Sequence, residues 1–305
     1  MSIKNLILTG STGFVGKNLI NKLNPSNYKF DTLNLRDKQW PDQIHQDRNE
    51  AYIHLAGIAH DLSNKNDDHI YYKINYKLTK DVYNGFLKDE HAKTFIFFSS
   101  IKALADQPKQ VLNEDLPPEP KTVYGKSKLK AENYILDNLP EDKTVIILRP
   151  CMIHGPENKG NLNLLLNAVS FHIPWIFGSF ENKRSYCSID NLCFIVDKIL
   201  NTPSMKSGLY HIADDTSIST NKLITIIAKA LGKRLIQLKV PKPILLKLTK
   251  FGDRFNLPIN SQVLNKITGT YEVSNSKIKQ ELGIKKLPLS TEEGLTKTVQ
   301  HYKHD

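Results

Sequence analysis

The chain has 305 residues, 40% of them apolar and 24% charged, which fits a soluble globular protein of one large domain or a domain with a smaller lobe. No apolar run reaches the roughly 18 residues of a membrane span. The N-terminus enters a strand pattern with no charged leader, so a secreted protein is not expected. The net charge of +11, from 42 Lys plus Arg against 31 Asp plus Glu, is dispersed without aromatic-interleaved basic tracts. It suits a phosphorylated small substrate better than a nucleic acid.

The first element is an apolar run, Asn5–Leu8, that reads as a buried strand. It runs into Thr9-Gly10-Ser11-Thr12-Gly13-Phe14-Val15-Gly16 and then a helical pattern from Gly16 to Leu23. Glycines at 10, 13 and 16 let a backbone turn sharply and approach a pyrophosphate, whose charge a helix N-terminus stabilises. The Rossmann pattern places its first two glycines two apart, and here they are three apart. A strand before the glycines and a helix after them make this a dinucleotide loop. The next strand ends near Leu33-Asn34-Leu35-Arg36-Asp37. There Arg36 would favour a ribose 2′-phosphate and Asp37 a 2′-hydroxyl, so NAD and NADP both stay open. The polar stretch from Arg36 to Asn49 leaves room for only a trimmed βα unit.

Further strands are expected at Ala51–Leu55, Thr94–Phe98 and Thr144–Leu148, with helices at Tyr71–Leu87 and Val123–Leu139 between them. Alternating strands and helices predict an α/β protein with a doubly wound parallel sheet of the Rossmann type. In the last helix Tyr124 and Lys128 stand at i and i+4 on one face. A phenol with a pKa near 10 is a poor base at neutral pH, and a nearby ammonium favours its phenolate. Ser99 and Ser100 follow a buried strand, where the Ser100 hydroxyl could bond a substrate oxygen. Together with the glycine loop, Ser100, Tyr124 and Lys128 point to hydride chemistry on an alcohol or ketone.

Beyond Pro150 the pattern loosens. Residues 155–160 read as a loop, Asn161–Phe171 as a helix, Arg184–Val196 as a strand entering a helix, and Gly208–Ala213 as a short strand. Small helices follow from Thr220, with Gly232, Gly252 and Gly283 as stops. The division expected is a dinucleotide-binding domain over 1–160, to which segments near 184–213 return, and an interleaved substrate lobe over 161–305. Pro241–Phe255 alternates Ile244, Leu245, Leu246, Leu248 and Phe251 with Lys242, Lys247, Lys250 and Arg254. It reads as a core-facing helix of the lobe, with a basic interfacial helix as the alternative. His54, His60 and His154 have no metal-binding spacing, although His60 could touch substrate or cofactor. Cys151, Cys187 and Cys193 lack ligand or C-x-x-C spacing and read as reduced cytosolic thiols, so a cytoplasmic location is expected.

These motifs resemble the extended short-chain dehydrogenase/reductases of the NAD-dependent epimerase/dehydratase family. The resemblance rests on the glycine loop, His54-Leu55-Ala56-Gly57, Asn75, Phe98-Ser99-Ser100, Tyr124-Gly125-Lys126-Ser127-Lys128 and Leu148-Arg149-Pro150. Ile153-His154-Gly155-Pro156 and the segment from Arg184 to Asn191 add to it. The family implies NAD or NADP bound by Gly10, Thr12, Gly13, Phe14, Val15, Gly16, Arg36, Leu55, Ala56, Gly57, Asn75, Ser99, Tyr124, Lys128 and Pro150. It implies Tyr124 as acid/base with Lys128 as partner and Ser100 as hydroxyl anchor. Asn161 and Arg184 would grip the diphosphate of a UDP- or dTDP-linked sugar, the alternatives being a helix N-cap for Asn161 and an ion pair with Glu181 for Arg184. The expected reaction is epimerisation by transient hydride transfer at C4. The alternatives are 4-keto reduction in surface-glycan precursor synthesis and a non-catalytic NAD(P) sensor. A homodimer through the 71–87 and 123–139 helices is implied as well. Family dehydratases carry an Asp-Glu pair after the catalytic hydroxyl; Ile101 and Lys102 stand there, which argues against dehydration. The third-strand acid that often reads adenine is not recognisable, and His154 replaces the commoner Tyr.

Overall fold

The computed structural model describes residues 3–43, 48–59, 68–158, 162–255, 257 and 260–302. His60 and Asn161 lie outside the described residues. The chain begins β1 (Lys4–Thr9), α1 (Phe14–Lys22), β2 (Tyr28–Leu33), the short α2 (Trp40–Gln43) and β3 (Ala51–His54). A continuous helical stretch follows as α3 (Asp68–Tyr71), a π-helical segment (Tyr72–Leu78) and α4 (Thr79–Lys88). Then come β4 (Thr94–Phe98), a 3₁₀ turn (Ile101–Ala103), α5 (Val123–Leu136), β5 (Thr144–Pro150) and β6 (Met152–His154). The rest is α6 (Leu162–Ser170), β7 (Tyr186–Ser188), α7 (Ile189–Leu200), β8 (Gly208–Ile212), α8 (Thr220–Leu231), α9 (Lys242–Arg254), α10 (Ser261–Thr268), α11 (Ser276–Glu281) and α12 (Thr291–His301).

Six strands form one parallel sheet in the order β2-β1-β3-β4-β5-β8. Side chains alternate between its faces, as a period of two requires. Leu6, Leu8, Ile53, Ile96, Phe98, Ile146 and Leu148 meet Leu19 of α1 and Leu192, Val196 and Ile199 of α7 in one apolar core. Ile7, Tyr52, Phe95, Phe97, Val145 and Ile147 meet Val82 and Phe86 of α4 and Ala131 and Ile135 of α5 in another. Apolar residues on both faces explain why these strands read as unbroken hydrophobic runs. This is the doubly wound Rossmann-type α/β fold. The chain leaves β1 towards β2 on one side and reaches β3 on the other, so the strand order switches beside the C-terminal end of β1. Such a switch opens a crevice for a ligand.

A third core, built from Leu166, Trp175, Phe177, Tyr186, Leu223, Ile227, Leu245, Leu264, Leu295 and Val299, joins α6, α8, α9, α10 and α12 in a lobe over the later part of the chain. Gly232 and Gly283 have φ of +66° and +63° and stand just after α8 and α11. Gly252 does not stop a helix: it lies buried inside α9, which runs on to Arg254.

The turn after β1 depends on Gly10, whose φ is +72°. A Cβ there would stand 2.8 Å from the backbone nitrogen of Ala56, so the β1 and β3 loops touch only because the side chain is absent. Gly10→Ala combines a left-handed backbone with a backbone collision. It is expected to lower unfolding stability by about 2 kcal/mol or more and to abolish dinucleotide binding. Urea denaturation and fluorescence titration with NAD and NADP check this; wild-type values in both would refute it.

Candidate active site

The crevice is lined first by the glycine turn. Gly13 is the N-cap of α1, and its N–H donates to the Gly10 carbonyl at 3.1 Å. No side chain caps this helix start and no acid sits in its first turn, so its amides and dipole suit a phosphate. Thr12, Phe14, Val15 and Gly16 belong to this turn and the first turn of α1. Gly10, where a Cβ would collide, makes room for close backbone approach. These residues therefore fit the pyrophosphate of a dinucleotide.

Across the crevice, the loop after β3 holds Leu55, Ala56 and Gly57, with Gly57 exposed. A chain of hydrogen bonds fixes it. Thr79 Oγ1 donates to the Asn75 carbonyl at 2.9 Å, so it accepts from His54 Nε2 at 3.0 Å. His54 Nδ1 is then the acceptor for Thr9 Oγ1 at 2.7 Å, and that oxygen accepts the Ala56 N–H at 3.2 Å. Burial, and then the charge of Lys128, lower the His54 pKa to about 3, which keeps this ring neutral. Among the described residues no group of His, Cys, Asp and Glu could hold a metal.

Asn75 sits fully buried in the π-helical segment. Its amide oxygen accepts Ile58 N–H at 2.9 Å, and its amide nitrogen donates to the Ile58 carbonyl and to Ser127 Oγ, both at 3.0 Å. Asn75 thus ties the loop after β3 to α5; the family resemblance implied a cofactor contact for it instead. A local π-helix often marks a functional position because it re-aims one side chain.

The strand-end serines diverge. Ser99 is buried and its hydroxyl donates to the Glu132 carboxylate. The Ser100 hydroxyl caps the 3₁₀ turn by accepting Lys102 N–H at 3.2 Å, and it also bonds the Tyr124 phenol. The close approach of α5 to that turn depends on Gly125. Thr122 caps α5 by accepting Gly125 N–H at 3.2 Å, and a Cβ on Gly125 would collide with the Lys102 carbonyl. Glycine after the tyrosine is what lets the two segments meet.

Lys128 is buried and its ammonium donates to the Phe98 carbonyl at 2.9 Å, 4.8 Å above the Phe97 ring. Burial lowers its pKa to about 8, against the opposing pull of Glu132. The expected lowering of the Tyr124 pKa by Lys128 is not what the structure shows. Burial raises the Tyr124 pKa, the Ser100 hydrogen bond lowers it, and the charge of Glu132 raises it. The physical reason is desolvation, which favours the neutral phenol. In the free protein Tyr124 therefore holds its proton.

Glu132 and Arg149 are the site residues whose roles the sequence concealed. Arg149 Nε and Nη2 donate to the two carboxylate oxygens of Glu132 at 2.9 and 2.5 Å, with both side chains buried. Glu132 stands at i+4 from Lys128 and i+8 from Tyr124, a spacing that puts it near their face of α5 but does not point to Arg149. Pro150, next to Arg149, ends β5 opposite Ile212.

Arg36 lies exposed after β2, its N–H bonded to Asn34 Oδ1 at 3.2 Å, while the Asp37 carboxylate accepts Gln39 N–H at 3.0 Å. Arg184 is half-buried; its Nη1 donates to the Lys266 carbonyl at 2.7 Å and to the Gly269 carbonyl at 3.3 Å, capping α10. No ion pair joins it to Glu181 among the described residues. Its charge depresses the Lys102 pKa, after burial and against the charge of Asp106, so the two cations lie within electrostatic reach of each other. The free thiols Cys151, Cys187 and Cys193 are buried.

A dinucleotide cradle at a strand-order switch, next to a Ser/Tyr/Lys set, defines an oxidoreductase-type site of the extended short-chain kind. Residues 6–213 match the model of the NAD dependent epimerase/dehydratase family, and the chain belongs to that family. It is 31% identical over 325 aligned positions to a UDP-glucose 4-epimerase of Vibrio cholerae, covering 98% of this chain and 95% of the relative. A second relative, the N-acetyl-alpha-D-glucosaminyl-diphospho-ditrans,octacis-undecaprenol 4-epimerase of Escherichia coli O157:H7, is 27% identical, covering 90% of this chain and 85% of its own. Among solved structures, the Bordetella bronchiseptica enzyme WbmG in complex with NAD shares the fold with a TM-score of 0.76 at 15% identity, over 99% of this chain and 95% of that one.

Glu132→Gln would leave Arg149 buried without its counter-charge. A loss of about 3–5 kcal/mol in unfolding stability is expected, smaller when Arg149→Met accompanies Glu132→Leu. Urea titration of the variants measures both, and a single-variant loss below about 1 kcal/mol would contradict the assignment.

Proposed function

We propose that the protein is an NAD(P)-dependent 4-epimerase of a diphosphate-linked sugar. The observation that carries this reading is the Ser100 hydroxyl on the Tyr124 phenol, one helical turn from the buried Lys128 and beside the glycine cradle. Gly10, Thr12, Gly13, Phe14, Val15 and Gly16 would hold the pyrophosphate, and Leu55, Ala56, Gly57 and Pro150 would line the remainder of the cofactor. Bound NAD(P) would supply a hydride acceptor and, when oxidised, a positive charge. Ser100 and Tyr124 would then orient the sugar hydroxyl; Tyr124, having released its own proton to solvent on cofactor binding, would take the hydroxyl proton as phenolate while the carbon gives up its hydride. The added positive charge offsets the desolvation that raises the phenol pKa. When the keto sugar turns its other face and is reduced, Tyr124 returns the proton to the opposite configuration. Arg184 and Lys102 would meet the diphosphate, Arg184 through guanidinium donors beyond those that cap α10. The Vibrio relative's name carries UDP on that diphosphate and the Escherichia relative's name a polyprenol, so the diphosphate is the shared feature. Two copies would pair through the 71–87 and 123–139 helices.

Arg36 supports a second reading. It is exposed at the end of β2 while Asp37 is engaged by Gln39, which favours a 2′-phosphate and hence NADPH-dependent 4-keto reduction. Denaturing protein purified without added cofactor separates the two. Stoichiometric NAD(H) on release supports the epimerase; empty protein that binds NADPH better than NADH supports the reductase.

Tyr124→Phe is expected to bind NAD normally and to lose at least about 100-fold in turnover of UDP-glucose to UDP-galactose, or of another diphosphate sugar found to react. Near-normal turnover would sink the role of Tyr124. Arg184→Ala is expected to weaken UDP binding by about 2 kcal/mol or more with NAD binding retained, as calorimetry would report. Unchanged UDP affinity would leave Arg184 only its capping of α10.

A further inference from the structure

Helix α9 carries two separate apolar stripes. Leu245, Thr249 and Gly252 recur at i, i+4 and i+7 and are buried against the lobe. Ile244, Leu248, Phe251 and Phe255 recur at i, i+4, i+7 and i+11, yet they stand open to solvent at 56, 43, 55 and 55% exposure. At about 100° per residue the open stripe lies roughly a quarter turn from the buried one. On its other side, at a similar angle, runs a third row of Lys247, Lys250 and Arg254, all exposed. The Phe251 and Phe255 rings pack 4.5 Å apart, carrying the open stripe to the helix end. Ile236 and Leu238, in the segment leading into α9, are 47 and 45% exposed.

Opposing charge is sparse here. Asp253 is the one acid of α9, and its carboxylate is engaged by the Ser261 N–H and hydroxyl at 2.9 and 2.6 Å. A helix with an open apolar stripe beside a cationic row matches a surface that sinks aromatic and branched side chains below lipid headgroups while its cations meet phosphates. A second copy is a poorer occupant, because a two-fold contact would set one cationic row against the other.

We propose that α9 docks the protein onto an anionic lipid bilayer. Ile244, Leu248, Phe251 and Phe255 enter the interface, and Lys247, Lys250 and Arg254 bind headgroup phosphates. Because α9 packs against α10, whose last carbonyls hold Arg184, docking would fix the substrate lobe relative to the membrane surface. Binding requires no chemistry at Tyr124, so it stands or falls separately from the proposed reaction.

The test is flotation of the full chain with phosphatidylcholine vesicles, with and without phosphatidylglycerol, at low and raised salt. Binding is expected on the phosphatidylglycerol vesicles, at least roughly tenfold weaker on phosphatidylcholine alone, and weakened by salt. Lys247→Gln with Lys250→Gln is expected to lose roughly tenfold or more in vesicle affinity. Phe251→Ser with Phe255→Ser should do the same, with circular dichroism and the thermal midpoint unchanged. If the Phe pair disturbs folding, the exposed Lys pair carries the test. Absence of wild-type binding to the phosphatidylglycerol vesicles, or unchanged binding by the Lys pair, would overturn the proposal. A dimer that the Phe substitutions split, with no vesicle binding, would overturn it in favour of a second copy.

Discussion

The buried Glu132–Arg149 pair is the contact on which the site geometry rests. Glu132 projects from α5, Arg149 from β5, and the Ser99 hydroxyl at the end of β4 completes the carboxylate's partners. One interaction therefore joins the helix that carries Tyr124 and Lys128 to the two strands beneath it. Two buried charges are costly unless geometry and hydrogen bonding are good. A slip of α5 by one residue would break all three bonds, so the pair holds the phenol and ammonium in one register. Its charge reaches both groups as well, raising the Tyr124 pKa and opposing the desolvation of Lys128.

A second network does for the crevice what the ion pair does for the helix. Thr9, His54 and Thr79 bond in series beneath the loop that carries Ala56, and Asn75 bonds that loop to Ser127. Ser127 lies between Tyr124 and Lys128 in α5 and donates back to the Tyr124 carbonyl at 2.8 Å. The loop after β3 and the helix of Tyr124 and Lys128 are thus coupled through neutral groups. Neutrality matters, because a charged His54 beside Lys128 would add repulsion in a desolvated interior.

Much of this was legible in the chain, for identifiable reasons. Strands such as Thr94–Phe98 and Thr144–Pro150 are buried on both faces, so their apolar runs announce a parallel sheet. The glycine turn, Ser100, Tyr124 and Lys128 carry local spacing that chemistry explains. Glu132 was not legible as a partner, because a glutamate in a helix normally faces water and its arginine lies across a strand. The Tyr124 electrostatics were hidden too, since spacing gives proximity to Lys128 but not the depth of burial. Gly252 shows a related limit. It looks like a helix stop, yet it lies buried inside α9, which runs on to Arg254.

The amphipathic pattern of α9 was legible as a pattern but ambiguous in what it faces. Hydrophobic periodicity reports that a stripe prefers to leave water; it does not say which surface covers it. In α9 the residues of lesser volume, Thr249 and Gly252, take the inner face with Leu245, and the bulky Ile244, Leu248, Phe251 and Phe255 take the outer one. That inverts the size order expected of a helix held mainly by core packing, where large side chains gain most from burial. Here α10 packs close against α9, and Asp253 clamps the start of α10 through Ser261. Leu245 shares one apolar core with Leu264 of α10, so the inner stripe anchors α9 to the lobe while the large residues stand outside it.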